Sequence, residues 1–225
     1  MIFDWFKKKE KYSDLPDFWR EYSDKFEKKR PEKIEDTRFV VFDTETTGFD
    51  FDDDRILSIG AVNVQNKSIE IKDNFEIFLQ QDKFNPETVQ IHGIIRNEKV
   101  NKLSEYEALQ KFIEYIEDSV LVAHHAGFDL KMINNALNRQ GLPKLKNSIL
   151  DTAVLYKKTR IISNFIDREK IYSLDEIAEA YNFDLSDRHT ASGDAYITAL
   201  ILMRLLGKYY KSKDLRLKDL LKYKV

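Results

Sequence analysis

Apolar residues follow two rhythms along this chain. Arg38 to Asp43 (RFVVFD) is a short, continuously apolar run, the pattern of a strand covered on both faces. Ile56 to Val64 (ILSIGAVNV) and Ser68 to Leu79 read as two further strands, and Gln65-Asn66-Lys67 between them predicts a tight hairpin. From Ser104 to Glu117 the period changes, with Leu109, Phe112, Ile113 and Ile116 at helical spacing. Ser119 to Ala123 (SVLVA) predicts a second buried strand, and Phe128 to Arg139 a helix ended by Gly141. Ser148 to Asp151 is a short strand running into a helix that reaches Lys158. Ser173 stands where it can cap a helix with Leu174, Ile177, Ala178 and Tyr181 on one face, and Ala191 to Leu206 predicts a long, mostly buried helix. Three strands, then helices alternating with strands, then two closing helices describe an α/β fold with a mixed sheet.

Composition narrows the class. At ~100–200 residues per domain, 225 residues allow one good-sized domain with an appendage, or two small ones. The absence of cysteine removes disulfide scaffolds, cysteine nucleophiles and thiolate zinc sites together. With 7 Gly and 4 Pro the chain is neither collagen-like nor Gly/Pro-rich and disordered. The richest apolar stretch, Ile197 to Met203, is interrupted by Thr198 and falls far short of a membrane span. The first residues, MIFDWFKKKE, put the lysines after the apolar patch, the wrong order for a secretory signal. A soluble, cytoplasmic protein with no membrane role is expected. With 37 basic and 39 acidic residues, net −2, the chain is no histone-like coat, yet a local patch or metal ions can still supply a positive field for nucleic acid.

The two ends differ from the middle. Residues 1–36 carry ten Lys/Arg and ten Asp/Glu among scattered aromatics, and Phe18, Tyr22 and Phe26 recur every four residues. A helix from Asp17 to Lys29, stopped by Pro31, predicts a charged helical appendage over 1–36 before a main domain at 37–208. Residues 209–225 read as a basic tail, and Arg204 to Val225 hold eight basic residues against two acidic ones. This stretch is either a solvated terminal helix or a patch near substrate phosphates or a partner.

Candidate chemistry begins at Asp43 and Glu45. Side chains alternate along a strand, so Phe39, Val41, Asp43 and Glu45 share a face, and two carboxylates leave an apolar strand together at its C-terminal end. Like charges this close repel, and a divalent cation, which prefers oxygen ligands, resolves the repulsion. Asp129 follows the SVLVA strand after a short turn; by itself it reads as a helix N-terminal acid favoured by the helix dipole. Asp194 tops an apolar stripe formed by Ile197, Ile201 and Leu205 and therefore wants a cation or several hydrogen bonds. His189 lies five residues earlier in a polar loop; by itself it reads as a surface histidine, and beside a buried Asp on a metal-facing helix as a general base near neutral pH. Four carboxylates balance two divalent cations, the pair that clamps attacking and leaving oxygens in phosphodiester cleavage. Asp151, at a strand-to-helix turn, reads as a helix cap, and Phe128 as packing near the site, more as core than as a contact to a base.

FDTETTG (Phe42 to Gly48), HHAGFD (His124 to Asp129) and HTASGD (His189 to Asp194) resemble the three motifs of the DEDDh family of 3′–5′ exonucleases. This group has a ribonuclease H-like fold and includes the proofreading epsilon subunit of bacterial DNA polymerase III, ribonuclease T and oligoribonuclease. IHGI (Ile91 to Ile94) is similar to a segment of the epsilon type. The resemblance runs from Thr37 to Leu206 and leaves both ends of the chain outside it. It implies a mixed β-sheet flanked by helices, with Asp43, Glu45, Asp129 and Asp194 binding two Mg²⁺ or Mn²⁺ ions and His189 deprotonating the attacking water. It also implies that Thr46, Thr47, Gly48 and His92 cradle the 3′-terminal nucleotide. The second motif commonly reads H-N-x-x-F-D, and His125 stands here in place of Asn, a change that bears on substrate preference. The expected activity is release of nucleoside 5′-monophosphates from 3′ ends, preferentially of single-stranded DNA. Alternatives are an RNA 3′-end trimmer like ribonuclease T or oligoribonuclease, or a non-catalytic polymerase-associated module. Residues 1–36 are open to two readings, a structural role or docking to a polymerase or clamp partner.

Overall fold

The computed structural model describes residues 14–81, 101–160, 170–210 and 216–222. Its strands are β1 (Phe39–Thr46), β2 (Ile56–Gln65), β3 (Ser68–Leu79), β4 (Lys102–Leu103), β5 (Val120–Ala123) and β6 (Ile149–Asp151). They form one six-stranded sheet in the order β4-β3-β2-β1-β5-β6. The β1–β2 and β2–β3 pairs are antiparallel, whereas β5 and β6 add in parallel on one side and β4 on the other. The helices are α1 (Asp17–Lys25), α2 (Glu105–Ile116), α3 (Gly127–Arg139), α4 (Thr152–Arg160), α5 (Leu174–Ala180), α6 (Ala191–Tyr210) and α7 (Leu217–Leu220). This is the mixed sheet flanked by helices that the apolar pattern predicts, enlarged by β4 and α7, which are too short to carry a period.

Local chemistry explains the boundaries. Asn66 and Lys67 hold φ of 50° and 62°, the left-handed pair required by a two-residue hairpin whose twist matches its strands. Ser104 and Ser173 cap α2 and α5 and form reciprocal boxes with Glu107 and Glu176. Just beyond α3, Gly141 turns the chain at φ 70°.

Because β1 is central, its alternate residues serve two cores. Val40 and Phe42 pack with Leu109, Phe112 and Ile133 beneath α1, α2 and α3. Phe39 and Val41 pack with Ile197, Ile201 and Leu205 beneath α6, joined by residues of α4, α5 and α7. That double burial accounts for the unbroken apolar run RFVVFD. The end of β1 emerges between the layers, where the register with β2 slips between Glu45 and Thr46. Such irregularities re-aim side chains beside functional sites.

The described segments nearest both ends, α1 and α7, join these cores. Trp19 and Tyr22 of α1 are buried in the first one. Tyr22 donates to Asn147 Oδ1 at 2.6 Å and accepts from the Lys146 amide at 2.7 Å. Helix α1 stops at Lys25 rather than Lys29. Leu217 and Leu220 of α7 are buried with Ile34 in the second core, and Lys33 bridges to Arg216. No helix among the described residues is long and apolar enough to cross a membrane.

Candidate active site

Asp43 and Glu45 leave β1 on the face covered by α6, the face on which Phe39 and Val41 are buried. Asp194 enters from the first turn of α6, its amide bonded to Thr190 O at 2.9 Å. The close approach depends on Gly60, which lies opposite Asp43 on β2. A Cβ at Gly60 would overlap the backbone of Ala191 and Ser192, so only glycine lets the start of α6 settle on the sheet there. One oxygen from each of Asp43, Glu45 and Asp194 then lies within 4.8 Å of the other two.

Asp129 arrives from the opposite layer, in the first turn of α3. It is buried, and its Oδ1 accepts from the Thr44 amide at 3.0 Å and the Thr44 hydroxyl at 2.6 Å. Thr44 points to the α3 side of β1 while its neighbours Asp43 and Glu45 point to the α6 side. One strand thus binds the fourth carboxylate to the other three, although Asp129 lies outside the 4.8 Å group. The turn before α3 is held by Asp151, which accepts from the amides of His125 (3.2 Å), Ala126 (3.1 Å) and Ala153 (2.8 Å). Asp151 therefore braces two helix starts, more than the single cap its position suggests.

Charge crowding dominates the electrostatics. Burial, then Asp129, Asp194 and Glu45, push the Asp43 carboxyl well above its ordinary range. Burial and then Asp194 raise Glu45 to about 7, and burial raises Asp129 to about 7 against the two hydrogen bonds from Thr44. Arg188 opposes the shift at both Asp43 and Glu45 and is ion-paired to Asp194. Among the described residues, Asp43, Glu45 and Asp194 face the Arg188 guanidinium with Asp129 beside them, a set of hard oxygen donors short of positive charge. The arrangement fits divalent cations, which take oxygen ligands.

A family model described as Exonuclease matches residues 40–202. The chain belongs to the exonuclease family. The members of this family are nucleases, generally dependent on divalent metal. Among its relatives, DNA polymerase III subunit epsilon of Aquifex aeolicus is 32% identical over 197 residues, covering 83% of this chain and 94% of that one. The PolC-type DNA polymerase III of Caldanaerobacter subterraneus is 36% identical over 171 residues, 76% of this chain but only 12% of that polymerase. Among solved structures, the zinc-bound form of the Escherichia coli exonuclease I–single-stranded DNA complex superposes with a TM-score of 0.65 at 19% identity, over 80% of this chain and 42% of that one. Exonuclease X in complex with 5′-overhanging duplex DNA gives 0.57 at 22% identity, over 76% and 92%. These structures share the ribonuclease H-like exonuclease fold.

The structure also holds other residues singled out by the motifs. His189 is exposed in the loop before α6 at φ 66°, and its amide donates to Asp194 Oδ1 at 3.3 Å. Thr46 and Thr47 are buried and build the loop after β1: the Thr46 hydroxyl donates to Gly48 O at 2.7 Å, and that of Thr47 to Asp54 Oδ1 at 2.7 Å. Gly48 lies so close to the Asp54 carboxylate that a Cβ would overlap it. His125 is exposed, with Nε2 3.1 Å from Tyr172 O; His124 places its own Nε2 3.0 Å from the same oxygen. Burial, and then the neighbouring His125, lower the His124 pKa to about 4, so it is neutral and donates to Tyr172 O from Nε2. His92 and the IHGI segment lie outside the described residues.

Four contributors escape a reading of the exonuclease motifs alone. Thr44 and Arg188 each stand beside a recognised residue, which is the one signal that could have found them. Asp54 is hidden in a run of aspartates that looks solvated. Phe49 is 78% exposed immediately after Gly48, and its ring lies 5.8 Å from that of Phe128, which also meets Phe51 at 5.6 Å. Phe128 is half-buried, packed against the first core and joined to Phe49 and Phe51 in an aromatic shelf next to Asp129.

Proposed function

We propose that the chain is a 3′–5′ exonuclease that shortens single-stranded DNA and releases nucleoside 5′-monophosphates, using two divalent cations, Mg²⁺ or Mn²⁺. The convergence of Asp43, Glu45 and Asp194, with Asp129 beside them, carries this reading. When bound, the cations supply the positive field at the scissile phosphate and acidify water. Asp43, Glu45, Asp129 and Asp194 would hold them. His189 would take the proton from the water whose oxygen attacks phosphorus in line. The P–O3′ bond breaks, and the departing oxygen becomes the new 3′-hydroxyl. The loop Thr46-Thr47-Gly48, with His92 and His125, would bound the terminal nucleotide. Exposed Phe49 offers a face on which a base can stack, an interaction indifferent to sequence.

Relatives favour DNA as the substrate, because the Aquifex match is a polymerase subunit over nearly its whole length and exonuclease I is seen with single-stranded DNA. They also favour a polymerase partner for a soluble, cytoplasmic protein. A panel tests the assignment: linear single-stranded DNA, the same strand circularised, a duplex with a 3′ mismatch, and RNA, each with Mg²⁺, Mn²⁺ or chelator. Stepwise shortening of linear DNA with intact circles is expected. Cutting of the circle would make the enzyme an endonuclease, and faster hydrolysis of RNA would make it a 3′-end trimmer.

A further inference from the structure

Arg188 is tied at both ends. Its guanidinium pairs with Asp194 inside the carboxylate cluster and, on the outside, grips Asp175 of α5 through Nε to Oδ1 (2.5 Å) and Nη2 to Oδ2 (3.2 Å). Its side chain is only 15% exposed, and that of Asp194 10%. The other Asp194 oxygen accepts the amide of His189, the next residue along the chain. Ser173 caps the short helix that presents Asp175. A cation on the loop that carries the candidate base is thus lodged against a carboxylate that is itself a candidate metal ligand.

We propose that Arg188 is a built-in counter-cation: it occupies Asp194 while the site is unloaded and gives it up on loading, with Asp175 retaining the guanidinium. The arrangement suits an exchange. A bidentate pair with Asp175 leaves Arg188 partnered after Asp194 is released. The crowded carboxylates are held together by one charge until stronger ones arrive. Arg188 then competes with divalent cations for the same oxygen, and its removal should tighten their binding.

The inference rests on the cation reading above, and the experiment separates the two. Mn²⁺ binding to the full chain is measured by electron paramagnetic resonance for wild type, Arg188→Gln and Arg188→Lys, with thermal melts of each protein in chelator and in saturating Mn²⁺. Arg188→Gln should bind Mn²⁺ about ten- to a hundredfold more tightly, the range set by one charge-assisted hydrogen bond. It should also melt below wild type in chelator and gain more from Mn²⁺. Arg188→Lys, which keeps the charge without the fork, should fall between, and it carries the test if the glutamine variant does not fold. Equal or weaker Mn²⁺ binding in the folded variants would overturn the inference and make Arg188 a simple buttress of the loop. Wild-type protein that binds no Mn²⁺ would instead overturn the cation reading itself.

Discussion

Replacing Gly60 with alanine adds one methyl group, and where that group lands decides its effect.

 The new Cβ would overlap the backbone of Ala191 and Ser192, and no side-chain rotamer can relieve a clash with main chain. The start of α6 must therefore lift from β2, by about 1 Å to restore ordinary contact, and a misplacement of that size near a reacting centre costs about a hundredfold in rate. Asp194 sits on the displaced turn, while Asp43, opposite Gly60, stays with the sheet. Overpacking should also lower stability by about 1–3 kcal/mol. The assay is kcat on a short single-stranded oligonucleotide at saturating Mn²⁺, with urea unfolding of the same preparation. Gly207→Ala is the control: it lies within α6 with nothing within 4 Å of the added carbon. It should leave kcat unchanged and stabilise the helix by about 0.5–1 kcal/mol. A folded Gly60→Ala protein with kcat within about twofold of wild type would show that the contact does not position Asp194, and the geometric argument would fail.

Other outcomes follow from the same site and core. His189→Ala should lower kcat by about 10²–10⁴-fold while Mn²⁺ binding persists, since the carboxylates remain; a smaller loss, with chemistry rate-limiting, would remove His189 from the mechanism. Without metal, Glu45 and Asp129 titrate near 7, above their ordinary values, so between those values and 7 the folded state binds protons that the unfolded state does not. Stability of the chelated protein should therefore fall as pH rises from about 5 to 8, and a melting temperature that rises over this window would contradict the assignment. Asp43→Asn should raise that melting temperature at pH 8 by removing one of the repelling charges, and should abolish Mn²⁺-dependent hydrolysis. Trp19→Ala should destabilise the fold by about 3–5 kcal/mol in urea, because Trp19 is fully buried; a loss below about 1 kcal/mol would mean that α1 is peripheral to the core.

Much of the molecule is legible in one dimension. The apolar run before Asp43, the Asn66-Lys67 turn and the serine caps act within a few residues, so their chemistry is readable from neighbours alone. The meeting of Asp43, Glu45 and Asp194 is legible too, because strand alternation and the apolar stripe of the last long helix fix the faces from which these carboxylates emerge. What adjacency cannot convey is contact between distant segments. The role of Gly60 exists only because α6 crosses β2 at that point, and Thr44 matters only because α3 brings Asp129 beneath it. Arg188 looks like any loop arginine until α5 and α6 set Asp175 and Asp194 on either side of it. Residues 1–36 read as a charged helical appendage, yet Trp19 and Tyr22 are buried with residues of α2, α3 and the sheet, a surface that forms only when those elements pack. Periodicity and local hydrogen bonding are properties of the chain, whereas burial and charge pairing belong to surfaces that exist only after folding, and here those surfaces decide which carboxylates meet and what balances them.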